Sequence, residues 1–145
     1  MAALTTKEYI REIDKRLNKI DKTVGLCISG TTAKQSLRIF VSGQRSGGGK
    51  IGQYQNARYK ELRSKKGRQT GFVDLRFTSL LKADFETSLT RSDKSTWIVG
   101  IKSQFNTEKY NNLLELYGED VWLLSRSERQ QLNKCITDER AKLKV

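Results

Sequence analysis

Arg58, Lys60, Arg63, Lys65, Lys66 and Arg68 place six cations within eleven residues. Tyr54 and Tyr59 are interleaved with this run, and Lys50 precedes it behind Gly47-Gly48-Gly49. Cations with aromatics between them make a surface that can neutralise phosphates and stack bases. Such contact is weak, indifferent to base sequence and steeply salt-dependent, because each neutralised phosphate releases counterion. An acidic protein surface would satisfy the same cations. Lys50, Tyr54, Arg58, Tyr59, Lys60, Arg63, Lys65, Lys66 and Arg68 are therefore the candidate residues for contacting nucleic acid or a partner.

Other chemistry finds little support. The segment Gly43-Gln44-Arg45-Ser46-Gly47-Gly48-Gly49-Lys50 invites a phosphate-loop reading. It has Gln44 where the pattern's first glycine belongs, however, and Ile51 stands where the Mg²⁺-binding hydroxyl belongs. Asp84 and Glu86 would share one face of a strand, close enough to hold a cation. Glu119-Asp120 and Asp138-Glu139 are further acidic pairs, and all have basic neighbours as solvated surface charge would. The chain has no histidine, which excludes Ser-His-Asp and Cys-His catalysis and imidazole zinc sites. Its two cysteines, Cys27 and Cys135, are too few for a metal cluster or a disulfide framework, and read as small apolar core residues in a reducing compartment. The expectation is a non-enzyme with no cofactor and no metal.

The elements that position the cations come next. The chain of 145 residues, one domain's worth, has 28 Lys+Arg against 16 Asp+Glu. Residues 45–70 hold eight of those cations with Glu61 as their only acid. A glycine run within like charges extends itself, so about 43–70 reads as a long flexible basic loop projecting from a nearly neutral domain. Ahead of it, Thr5 and Glu8 match a capping box, and Tyr9, Ile10, Ile13, Leu17 and Ile20 recur at helical spacing over about four turns. Gly25 and Gly30 suggest a break after that helix. Thr23–Val41 stays open, with residues 31–41 suiting either a strand or a second helix.

Beyond the loop the pattern alternates. Ala83, Phe85, Thr87 and Leu89, then Trp97, Val99 and Ile101, read as two antiparallel strands, Lys82–Thr90 and Ser95–Ser103. Phe72, Val73 and Leu75 suggest a shorter strand ahead of them. A helix from Asn106 ends at Gly118, Val121–Leu124 forms a strand or buried connector, and Ser125 with Glu128 caps a last helix carrying Leu132, Cys135, Ile136 and Leu143. The sum is a single α+β domain over 1–145: a small antiparallel sheet packed with an N-terminal and a C-terminal helix. No stretch is long and apolar enough for a bilayer; Thr23–Ala33 is short and rich in Gly, Ser and Thr. Residues 1–14 carry acids and no apolar run, unlike a secretory signal, so a cytoplasmic origin is expected.

One longer pattern resembles a known family. Tyr54-x4-Tyr59-Lys60-x2-Arg63-x3-Gly67-x2-Thr70-Gly71-x-Val73-Asp74-Leu75-x2-Thr78-x-Leu80 is similar to the central motif of tailed-bacteriophage virion-morphogenesis proteins, the head–tail connector, neck or tail-completion group. Ser79 stands where that family usually has Gly. Leu124-Ser125-x-Ser127-Glu128 resembles the start of the family's C-terminal helix. The resemblance implies a structural virion protein, assembled in the host cytoplasm as a homo-oligomeric ring of roughly six or twelve copies around the DNA channel. It also implies neighbouring portal-side and tail proteins as partners, weak non-specific contact with genomic DNA, and no membrane. The alternative from another class is a stand-alone, non-specific nucleic-acid-binding protein.

Overall fold

The computed structural model describes residues 5–76, 79–86, 89–91, 97–99 and 104–142. Of these, 68% are helical, which overturns the expected α+β architecture. Five helices run in the order α1 (Thr6–Phe40), α2 (Ala57–Lys65), α3 (Leu80–Glu86), α4 (Gln104–Tyr117) and α5 (Arg126–Lys142). Among the described residues, β1 (Thr90–Arg91) pairs antiparallel with β2 (Trp97–Ile98), Thr90 opposite Ile98, and an isolated antiparallel bridge joins Gln44 to Lys50.

The α1 start follows the capping box. Glu8 N–H donates to the Thr5 hydroxyl at 3.3 Å, and Thr5 N–H to the Glu8 carboxylate at 2.8 Å. The expected break at Gly25 and Gly30 is absent, and the open segment 31–41 is helix to Phe40. Gly25 serves packing instead: a Cβ there would lie 2.8 Å from the Trp97 ring. Thr31 and Thr32 fit the buried face by returning their hydroxyls to the Cys27 and Ile28 carbonyls. The helix ends where Gly43 turns the chain at φ 58°, with Phe72 and the Val73 carbonyl each 2.4 Å from where a Cβ would sit. No other residue fits there.

One expected strand fails because its pattern carries two periods at once. The strand expected over Lys82–Thr90 is largely α3, in which Leu81 and Phe85, four apart, are buried while Ala83 is exposed. An apolar residue at every second position also supplies one at every fourth, and here the helical period wins. In the second strand, residues 100–103 lie outside the described residues, as do 87–88 and the 92–96 link. Phe72–Leu75 is irregular rather than a strand, with Val73 N–H donating to the Gly52 carbonyl at 2.8 Å. The long loop, too, is not loop throughout, since α2 lies within it.

Ile39, Phe40, Ile51, Tyr54, Val73, Leu75, Leu81, Phe85 and Val121 form the core at the C-terminal end of α1. Antiparallel to α1 runs α5, joined to it at three levels. Arg38 pairs with Glu128 at 2.8 Å, Lys34 bonds Gln131, and Cys27 is disulfide-bonded to Cys135. That bond corrects the reading of both cysteines as reduced core residues. Their separation of 108 positions in sequence is closed by the helix pairing.

Candidate functional site: a cation-bearing helix on a buried support

The nine candidate residues divide into two sets. Lys50, Arg58, Lys60, Lys65 and Lys66 are exposed; Tyr54 and Arg63 are buried, and Tyr59 and Arg68 half-buried. Asn56 starts α2 by accepting the Tyr59 N–H at 3.0 Å. Tyr59 and Arg63, four residues apart, then share the inward face, which leaves Arg58, Lys60 and Lys65 outward. Lys65 pairs with Glu61 at 2.8 Å on this surface. Lys50 donates to the Ser42 carbonyl at 2.8 Å, and its ammonium lies 4.2 Å from the centre of the Phe72 ring.

Among the described residues, Arg63 is the largest side chain to be wholly buried. Each of its nitrogens has an acceptor: the Gln69 carbonyl at 3.0 Å, the Arg76 carbonyl at 3.0 Å and the Asp74 carboxylate at 2.8 Å. The guanidinium also stacks 4.5 Å from the Tyr54 ring centre. Asp74 in turn accepts from the Tyr54 hydroxyl at 3.0 Å, from Gln69 Nε2 at 2.8 Å and from Arg76 N–H at 3.0 Å. Burial pushes the Tyr54 phenol well above its ordinary pKa of 10.0. A buried ion pair needs its remaining donors and lone pairs satisfied to be tolerated, and this one is satisfied throughout.

A second arginine fixes the other end of the basic segment. Arg45 donates to Tyr117 O at 2.5 Å, to Asp120 at 2.6 Å and to Ile51 O at 3.0 Å. A third, Arg38, joins Glu128 to the Gln44, Val121 and Leu123 carbonyls. The sequence singled out neither Arg38 nor Arg45. No spacing rule marks an arginine that reaches carbonyls 72 to 85 residues away. Asp74 appeared only within the family-like motif, and Gln69 not at all.

Between α2 and α4 a groove of about 460 Å³ is lined by Tyr54, Asn56, Tyr59, Val73, Leu113 and Tyr117. A cavity of about 530 Å³ on the far side of the core is bordered by Gln35, Phe85, Trp97, Tyr110 and Trp122. The acidic pair weighed for metal chemistry does not share a face. Asp84 and Glu86 lie two apart on a helix, where i and i+2 diverge. Asp84 accepts from Asn106 at 3.2 Å, and Glu86 from Lys82 and Ser36. Lys82 and Ser36 hold the Glu86 carboxyl below the usual range. Among the described residues no group of three His, Cys, Asp or Glu could hold a metal, and no helix is long and apolar enough to cross a membrane.

Comparison with protein-family models, with curated proteins and with solved structures finds no match.

Proposed function

We propose that the chain is a structural component of a tailed-bacteriophage head–tail junction, a ring-forming neck or tail-completion protein whose exposed α2 cations face DNA phosphate or an acidic neighbouring ring. The observation that carries this reading is the convergence of the motif. Tyr54, Tyr59, Arg63 and Asp74, spread over 21 residues, meet in one buried node, and that node holds α2 with its cations outward. A motif that survives as a fold determinant would look like this. Ser79, where the family usually has Gly, has φ 69° and so lies in the left-handed region that favours glycine. Its hydroxyl accepts from Arg68 at 3.2 Å and Arg76 at 3.0 Å. The two strands read from the alternation after the motif are not part of the support.

The test separates surface from support. Arg58, Lys60, Lys65 and Lys66 are changed together to Gln, and Arg63 is spared because it is buried. Expressed in place of the wild-type chain during particle assembly, the variant should fold normally and yield capsids and tails that fail to join. Wild-type protein should co-band with tailed particles on a density gradient at low, fixed copy number. Normal infectious particles from the variant would remove the role given to α2. Wild-type protein found only with free nucleic acid, with a log–log salt slope of about −0.9 per phosphate contact, would replace this reading by a stand-alone DNA-binding one.

A further inference from the structure

The contact between α1 and α5 changes character along its length. At the N-terminal end of α5, Glu128 is buried and paired with Arg38. Among the described residues of α5 it alone is buried; Leu132, Cys135 and Ile136 are half-buried. Lys34 bonds Gln131 on the exposed surface. The ion pairs Lys134–Asp138 and Lys142–Glu139 lie within α5 and do not reach α1. The C-terminal half of α5 thus has little apolar cover, and the Cys27–Cys135 bond is what ties it covalently to α1.

That bond is not sealed from solvent. A pocket of about 180 Å³ opens beside it, lined by both cysteines and by Leu26, Gly30, Lys34 and Gln131. The last four are exposed, and Cys135 is half-buried where Cys27 is buried. Gly30 keeps the pocket open. It lies inside α1, where glycine is unfavourable, and a Cβ there would meet nothing within 4 Å. Unlike Gly25, it answers no packing demand, whereas a longer side chain at its position would border the sulfurs. Lys34, one turn further along α1, brings a cation to the same pocket. A cation beside a cysteine pair attracts an attacking thiolate and stabilises the one that leaves.

We propose that Cys27–Cys135 is a redox-active disulfide, open in the folded chain to exchange with a dithiol reductant, and that its reduction loosens the C-terminal half of α5 from α1. A thiolate of the dithiol attacks Cys135 Sγ, which belongs to the more exposed residue. The S–S bond breaks, its electron pair leaves with Cys27 Sγ, and that thiolate takes a proton. The second thiol of the reductant loses its proton, displaces Cys135 from the mixed disulfide, and Cys135 is protonated in turn. Two electrons pass to the protein, and the dithiol ends as a cyclic disulfide. The Arg38–Glu128 pair, buried and independent of the sulfurs, keeps the first turn of α5 in place. In a reducing compartment the dithiol form prevails, and the bond closes in an oxidising one. This inference goes beyond the head–tail reading and does not rest on it.

The experiment treats the full, air-oxidised chain with dithiothreitol under native conditions and follows free thiols by alkylation and mass spectrometry. Both cysteines should be blocked before treatment and both labelled after it. The reduction rate should not depend on denaturant well below the unfolding transition, since the folded chain itself reacts. Gly30→Leu should slow reduction roughly three- to tenfold by covering the pocket, and Lys34→Gln by a similar factor through the lost cation. Both positions are exposed, so the oxidised variants should unfold at no lower denaturant than wild type. In the reduced chain, amides at 136–142 should exchange at least about tenfold faster, while those at 31–40 stay protected. Cys27→Ser should match the reduced wild type in this exchange, which separates loss of the bond from any effect of the reductant. Free thiols in the air-oxidised chain, or reduction that waits for global unfolding, would overturn the proposal. So would variants that reduce as fast as wild type, or α5 amides indifferent to the redox state.

Discussion

Arg63 lies beneath α2 wholly buried, with an acceptor for each guanidinium nitrogen. Six cations in a row suggest six equivalent solvent-facing charges, yet one is wholly buried, Arg68 is half-buried and four remain exposed. The difference lies in geometry that only α2 provides, by turning Arg63 and Tyr59 inward together. Removing the guanidinium would leave the buried Asp74 carboxylate without the Arg63 countercharge, facing neutral donors from Tyr54, Gln69 and the Arg76 backbone. Arg63→Ala should therefore lower the free energy of unfolding by about 3–5 kcal/mol, read from denaturant midpoints. Arg63→Lys should recover less than half, since an ammonium cannot serve the fork of acceptors around it. A loss in Arg63→Ala no larger than in Lys60→Ala would refute the node. Tyr54 makes a prediction with a definite sign. Its phenol is raised above the ordinary value of 10.0 by burial, so the folded state resists ionisation that the unfolded chain allows. The resulting stability is complete below about pH 10 and is lost as pH climbs beyond it. Tyr54→Phe should lower stability by about 1 kcal/mol at neutral pH through the lost bond to Asp74, yet flatten the alkaline decline. A residual decline should persist, because burial also raises Tyr110 and Tyr117. An unchanged alkaline slope in the variant would count against the buried phenol.

At the scale of elements, legibility followed the strength of local signals. The Thr5–Glu8 and Ser125–Glu128 boxes marked two helix starts, and both are formed, Ser125 N–H meeting Glu128 at 2.8 Å. Gly118, at φ 84°, ends α4 as its position after Tyr117 suggested. These are short-range hydrogen-bond patterns, complete within four residues. What misled were signals whose meaning depends on distant packing. Gly25 reads as a helix breaker in isolation, but its missing side chain admits the Trp97 ring. Leu81 and Phe85 belong to an alternating series and to a helical one at once, and burial in the core with Ile39 and Phe40 of α1 favours the second. The cysteine pair was opaque for the same reason: nothing local says that α1 and α5 run antiparallel. Within the candidate site, the exposed members Lys50, Arg58, Lys60, Lys65 and Lys66 were legible from composition. Their support was not, apart from the motif that joined Tyr54, Arg63 and Asp74.

For the whole molecule, stability should vary along a single helix. The lower turns of α1, from Thr31 to Phe40, carry Gln35, Ser36, Ile39 and Phe40 buried in the core, and α5 is bonded alongside. Among the described residues, nothing gives the upper turns, from Thr6 to about Lys19, either kind of cover, and Tyr9, Ile10, Ile13 and Leu17 are exposed there. A helical segment of that length is marginal in water on its own, and here it is held only by continuation from the turns below. Amide exchange should therefore be fast at residues 9–19 and slow at 31–40, the gradient following tertiary cover rather than sequence propensity. Uniform protection along α1 would mean that the upper turns are stabilised by something other than continuation from the turns below, and would refute the gradient.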